Sequence, residues 1–399
     1  MTPTDGTSLP ANPSLRVAVA LGFVGFVTSF GAHIVAVNLP TYAKETGIGL
    51  AMIGLLIAVY DLAEVVAKPV FGAVADRRGM KQTMLVGIAI FTGASLLFPL
   101  VDPRLLIVVR FLQGVGAAAL SAVSLALVGV YYRDRRGRAY GAYNAVKGAG
   151  YVLAPIVGGG IVVSSGFAWI FVATAGIGAV AFVVALLLPP TRERASLDDD
   201  DDDFSLKGML LVFREPRLIP WFAVTVVNMF FVGILFGFLP VRLHDLGYSA
   251  LASGVLLTVV SASYLLVQPL VGSLADRWDV GATIRIGLIA AALSIIAAAF
   301  LRGPVLVAAG VIAGLGVGTV WTNTDALVSD LADDRKLGAT MGAAGSYKEL
   351  GDMLGPLLIG VLSQAFGVTT GFVVCGVLGL VAAVAIRGTS RSVVDVPLS

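Results

Sequence analysis

Cysteine is all but missing. Cys375 is the only one in 399 residues, so no internal disulfide and no cysteine-based zinc site can form. Charge is scarce too: Asp, Glu, Lys and Arg make up 13% of the chain, about half the share of a soluble domain. The net charge of +2 offers no footing for nucleic acid. The opening MTPTDGTSLPANPS has neither the basic start nor the small-residue cleavage site of a signal peptide, so the first apolar segment is expected to stay in the mature chain. No phosphate-binding loop of the P-loop kind occurs. GVGAAA from Gly114 superficially matches a dinucleotide fingerprint, but it sits inside an apolar run with no strand before it. No nucleophile, base and oxyanion donor stand at recognisable spacing. The chain is therefore expected to need no cofactor or metal and not to be an enzyme.

What is abundant is apolar: 57% of the residues are hydrophobic, and the charges fall in clusters between long apolar runs. Each run is about 20 residues, the length a helix needs to cross a bilayer core, and only structures that satisfy their own backbone groups survive there. The reading is an all-α membrane protein with twelve spans, near 15–39, 51–74, 82–101, 104–129, 139–163 and 168–188, then 217–240, 251–274, 282–301, 304–328, 339–363 and 369–386. It divides into an N-terminal tail (1–14), a six-helix bundle (15–188), an acidic linker (189–216), a second bundle (217–386) and a C-terminal tail (387–399). The run from Asp198 to Asp203 repels itself and reads as a solvated connector. Arg77, Arg78 and Lys81, then Arg133, Arg135, Arg136 and Arg138, then Arg192, Arg194, Lys207, Arg214 and Arg217 fall on one side. The alternate loops hold Lys44, Arg104, Arg242 and Arg302. That asymmetry puts both termini and the linker in the cytoplasm, with the chain in the cell membrane.

The two sets are copies. Pro40 recurs as Pro240, Gly54 as Gly254 and Pro69 as Pro269. GAVADR from Gly72 recurs as GSLADR from Gly272, and GAYNAVKGAGYVLAP from Gly141 answers GAAGSYKELGDMLGP from Gly342 with one residue of slippage. Two parallel halves related by an axis along the membrane normal follow.

Ionisable residues inside the runs are costly, about 2.5–3.5 kcal/mol each on insertion scales, and face a cavity or each other. They are Asp61, Glu64 and Lys68 on the second span, Arg110 on the fourth, Lys147 on the fifth, Asp325 on the tenth, and Lys348, Glu349 and Asp352 on the eleventh. Five acids against four bases is nearly neutral, as a mutually paired set would be. Asp61, Glu64, Asp325 and Asp352 are candidates to carry a proton. Arg110, Lys147, Lys348 and Glu349, with His33, Asn38 and Asn228, are candidates to hold a small-molecule substrate. Phe230, Phe231, Phe236 and Phe238 offer an apolar cavity wall or lipid-facing packing. Gly72 and Gly79 permit close approach of a helix end and a loop, Asp76 can accept hydrogen bonds from a helix N-terminus, and Pro155 bends its helix.

GAVADRRGMKQT after the second span, its degenerate copy GSLADRWD, RFLQGVGAA from Arg110 and GYVLAPIVGG from Gly150 together resemble the major facilitator superfamily. The last is similar to the fifth-helix motif of proton-coupled exporters, with Ala154 in place of the usual Gly before Pro155. The resemblance implies two six-helix bundles working by alternating access as a monomer in the bilayer. It implies a gating role for Gly72, Asp76, Arg77, Gly79, Asp276, Arg277 and Pro155, and proton-driven export of an amphipathic drug or metabolite. It also places spans two and eleven together, with Glu64 near the depth of Lys348 and Asp61 nearer Asp352. An organic anion held by Lys147 and Lys348 is the second transporter reading; a non-transporting receptor or scaffold is the third.

Overall fold

The computed structural model describes residues 14–102, 105–132, 136–189, 215–274, 279–332 and 337–386. These residues form twelve membrane-length helices: α1 (Leu15–Thr46), α2 (Leu50–Arg78), α3 (Met80–Leu97), α4 (Leu106–Tyr131), α5 (Arg136–Ser165), α6 (Ala168–Leu187), α7 (Ile219–Asp245), α8 (Ala250–Leu274), α9 (Val280–Ala298), α10 (Gly303–Leu331), α11 (Leu337–Phe366) and α12 (Val368–Ala385). Eleven are long and apolar enough to cross a membrane. The other is α11, which carries Lys348, Glu349 and Asp352. Several helices outrun the apolar stretch that announced them, α1 by seven residues past Leu39. Hydropathy marks the lipid core, whereas a helix continues wherever its own hydrogen bonds do.

Packing repeats between the halves. α1 packs on α5 and α7 on α11; α2 and α3 flank α4 as α8 and α9 flank α10; α6 lies on α3 as α12 lies on α9. Two contacts join the halves most extensively, α2 on α11 and α8 on α5, and each is the image of the other.

Both contacts are tightest at the end away from the basic loops. A side chain on Gly54 would run into the carbonyl oxygen of Pro356, and one on Gly254 into that of Pro155. The proline, which has no N–H to give, sits where its helix is crossed by the other half. At the basic end the same helices are looser: a Cβ built on Gly72, Gly141 or Gly345 meets nothing within 4 Å. A widened π turn over Ile234–Phe238 interrupts α7, beside Gly233, whose Cβ position lies 2.9 Å from Pro356 Cδ. Such turns insert a residue into an otherwise regular helix and recur at functional positions.

Candidate functional site

Between the halves lies a cavity of about 80 Å³. From the first half it is lined by His33, Asp61, Arg110 and Tyr151, and from the second by Phe236, Trp321 and Asp352. The two carboxylates come from the paired helices α2 and α11, and neither makes an ion pair among the described residues. His33 is held edge-on by Tyr151 and Phe236, with ring centroids 4.4 and 4.8 Å away. Its Nδ1 lies 2.9 Å from the Ser29 carbonyl. A carbonyl only accepts, so Nδ1 carries the proton and Nε2 of the neutral ring is left as an acceptor.

Arg110 is a brace more than a hook. It is 1% exposed, donates from Nε to the Leu56 carbonyl (3.1 Å) and from Nη1 to Gln113 Oε1 (2.7 Å), and stacks over the Tyr60 ring at 4.5 Å. Gln113 in turn donates to Ser95. The guanidinium thus ties α4 to α2 and brings a fixed positive charge to the cavity wall.

The other charges pair differently from the depth argument. Lys68 bridges Glu64 on its own helix (2.5 Å) and Glu349 on α11. Lys348 binds Asp325 Oδ2 at 2.5 Å and lies 4.7 Å from the Trp321 ring centre. Glu64 and Lys348, expected near each other, therefore have separate partners. Axial depth alone cannot tell on which side of a helix a residue points. Lys147 makes no ion pair among the described residues. Among the described residues no group of three or more His, Cys, Asp or Glu is arranged to hold a metal ion.

Three further groups of residues lie apart from the central cavity, with one exception. Asn38 donates to the Ile34 carbonyl one turn back and lies under Gly158, away from the cavity. Asn228 lines a second, smaller pocket with Thr324, Asp325 and Lys348. Of the four phenylalanines only Phe236 faces the cavity; Phe230, Phe231 and Phe238 are buried against Gly355, Gly379 and Gly360, neither a cavity wall nor a lipid face.

In the loop after α2, Gly79 has φ +94°, a conformation that side chains rarely adopt, and its N–H closes the helix on Ala75. Gly72 has no close neighbour, so in this conformation it serves no tight approach. Arg77 is exposed. Lys81 reaches the carbonyls of Leu186 (2.8 Å) and Leu188 (2.6 Å), which places a cation at the negative C-terminal end of α6 instead of against an acid. The side chain of Asp76, and Asp276 and Arg277 altogether, lie outside the described residues. Pro155 stands at the α5–α8 crossing.

Tyr151 and Trp321 are not among the site residues read from the sequence, where Lys68 stands among the intramembrane charges without a site role of its own. Tyr151 stands inside GYVLAP and Trp321 one helical turn before Asp325, so both signals were present but apolar in appearance.

Two pseudo-symmetric six-helix halves around a polar cavity define a membrane transporter. The model of the Major Facilitator Superfamily matches residues 21–254 and again 221–396; the chain belongs to that family, whose members are transporters and not enzymes. The chain is 25% identical over 367 residues to the multidrug resistance protein MdtG of Escherichia fergusonii, covering 88% of each. It is 25% identical over 426 residues to the uncharacterized transporter YebQ of Escherichia coli K12 (91% of this chain, 92% of the relative). A stretch of 212 residues is 34% identical to the uncharacterized MFS-type transporter Rv1250 of Mycobacterium tuberculosis, taking in 52% of this chain and only 36% of that protein. Among solved structures, a bacterial homologue of the human lysosomal transporter Spinster superposes with TM-score 0.81 at 16% identity, covering 95% and 97% of the two chains. The nucleoside transporter NupG gives 0.81 at 15%, covering 94% and 99%. The chain is a multi-pass membrane protein that transports a small molecule.

Proposed function

We propose that the protein exports an amphipathic molecule from the cytoplasm in exchange for protons, as a monomer in the cell membrane with both termini inside. The observation that carries this is the pair Asp61 and Asp352, one carboxylate from each half, facing a shared cavity without an ion-pair partner among the described residues. Beside them Trp321, Phe236 and Tyr151 supply aromatic faces, which favour flat apolar groups and cations. A carboxylate that holds a proton no longer attracts a cation, so proton and substrate occupy the site in turn, and alternating access converts that competition into exchange. The basic loops support the orientation. The relative MdtG, named for multidrug resistance, supports efflux.

An organic anion is the second reading, supported by Lys147, which has no ion-pair partner among the described residues. Lys348, its repeat-related counterpart, is tied to Asp325 and supports that reading less.

Proteoliposomes with an imposed pH gradient separate the two, with ethidium as the cationic probe and carboxyfluorescein as the anionic one. Ethidium movement driven by the gradient, lost in Asp61→Asn and Asp352→Asn and kept in Lys147→Gln, is the expected result. Carboxyfluorescein movement lost in Lys147→Gln establishes the anion reading. Gradient-driven transport that survives both Asp61→Asn and Glu64→Gln removes α2 as the proton carrier and turns attention to Asp325.

A further inference from the structure

The walls of the central cavity carry hydrogen-bonding capacity that a competition between proton and charge does not use. Asp61 and Asp352 supply negative charge. His33 adds a neutral acceptor: its Nδ1 is committed to the Ser29 carbonyl, 2.9 Å away, so only Nε2 is left to meet a ligand. Tyr151 of the first half and Phe236 of the second hold the ring at interplanar angles of 64° and 86°, which fixes how it faces the cavity. Tyr60 lines the same cavity. It is 2% exposed, and its buried Oη has no hydrogen-bond partner. The Arg110 guanidinium covers the Tyr60 ring but donates to Leu56 and Gln113 and leaves the hydroxyl unmet.

Buried polar atoms are nearly always paired, and one without a partner calls for an explanation. A ligand N–H suits both groups, since Nε2 can only accept and a phenolic oxygen can accept as well as donate. The two carboxylates ask for positive charge at the same place. A cation that carries an N–H answers both demands, whereas a quaternary ammonium brings the charge and no hydrogen. A group that displaces water from such atoms without replacing its hydrogen bonds loses affinity. Sites that hydrogen-bond a substrate N–H or O–H therefore reject analogues lacking it far more strongly than apolar pockets reject a change of size.

We propose that His33 Nε2 and Tyr60 Oη are the specificity-determining acceptors of the cavity, and that they select amphipathic cations bearing an N–H over permanently quaternary ones. The inference rests on the cation-export reading and narrows its substrate class. The carboxylates hold the charge, the aromatic rings hold the flat apolar part, and these two atoms read the proton on the nitrogen.

The test is equilibrium dialysis of the purified full chain in detergent against two dyes of equal charge and similar shape. Acridine orange carries an N–H on its protonated ring nitrogen; its derivative methylated at that nitrogen has none. Binding to detergent alone is subtracted. Wild type is expected to hold acridine orange about tenfold more tightly or better, the usual worth of a hydrogen bond to a charged group. His33→Phe keeps a ring between Tyr151 and Phe236 but offers no acceptor, and is expected to bring the two affinities within about threefold. His33→Gln returns an acceptor and is expected to recover part of the preference. Tyr60→Phe deletes an unpartnered buried hydroxyl, so its unfolding midpoint is expected to hold or rise while the preference for acridine orange falls. Equal affinities in wild type, or binding of neither dye, would overturn the proposal. So would a preference undiminished in His33→Phe or, should that variant not fold, in Tyr60→Phe, because discrimination would then be steric exclusion of the methyl group. Failure of the export reading looks different: the dyes bind with the expected preference, yet a pH gradient moves no ethidium in proteoliposomes.

Discussion

A lysine shared by two carboxylates behaves differently from either ion pair alone. Lys68 neutralises Glu64 and Glu349 together, so Lys68→Gln leaves two acids facing each other across the halves. Fully buried pairs cost 3–5 kcal/mol when one partner is removed; these side chains are 11–26% exposed, which brings the expected loss to about 1–3 kcal/mol. Glu349→Gln in the same chain is expected to restore part of it, since neighbours in one network are not additive. Unfolding midpoints of the two single variants and the double give the coupling, and strictly additive losses would show that the residues do not interact. By the same logic Lys348→Gln with Asp325→Asn, and not with Glu64→Gln, should show coupling, because the ion pair runs from α11 to α10.

One helix holds two glycines with opposite expectations. Gly54→Ala drives a methyl into the Pro356 carbonyl, while Gly72→Ala meets nothing. A mid-helix Gly→Ala change gains about 0.5–1 kcal/mol where space allows, so Gly72→Ala is expected to hold or raise stability. Gly54→Ala and its repeat mate Gly254→Ala are expected to lower it and to part the tight end of the halves. A cysteine at Ile57, which lines the central cavity on α2, reports this through alkylation by a membrane-impermeant maleimide added at that end, since Cys375 is 1% exposed and gives little background. Faster labelling in Gly54→Ala than in Gly72→Ala is the expected outcome. Equal rates would mean that the crossing does not control access.

For the whole molecule, coupling sets a limit that can be measured. Each pH unit is worth about 1.36 kcal/mol per proton, a factor of ten in concentration. Electroneutral one-for-one exchange should therefore hold the transported probe near a tenfold gradient per pH unit, whatever the potential. If a net charge crosses in each cycle, an imposed potential adds about 2.3 kcal/mol per 100 mV and the steady gradient changes with it. Steady-state accumulation in proteoliposomes, with pH and potential clamped independently, distinguishes these. A probe that only equilibrates under both gradients would exclude coupled transport.

The architecture could be read from the chain because its causes are local or periodic. Apolar runs of membrane length dictate helices, and the recurrence of GAVADR as GSLADR, with Pro69 and Pro269, dictates two alike halves. Asp61 and Asp352 were legible for the same reason: a charge in an apolar run stands out against its neighbours. Partnership was not legible. Whether Lys348 meets Glu64 or Asp325 depends on the rotation of α10 and α11 about their axes, and side-chain identity does not encode that rotation until the helices pack. Nor does sequence distinguish Phe236, which lines the cavity, from Phe238, buried on Gly360, although both stand in the widened turn of α7. The glycine–proline crossings were visible as repeated letters, but their meaning came only from the contact itself, where one half's backbone fills the space that the other half's missing side chain leaves.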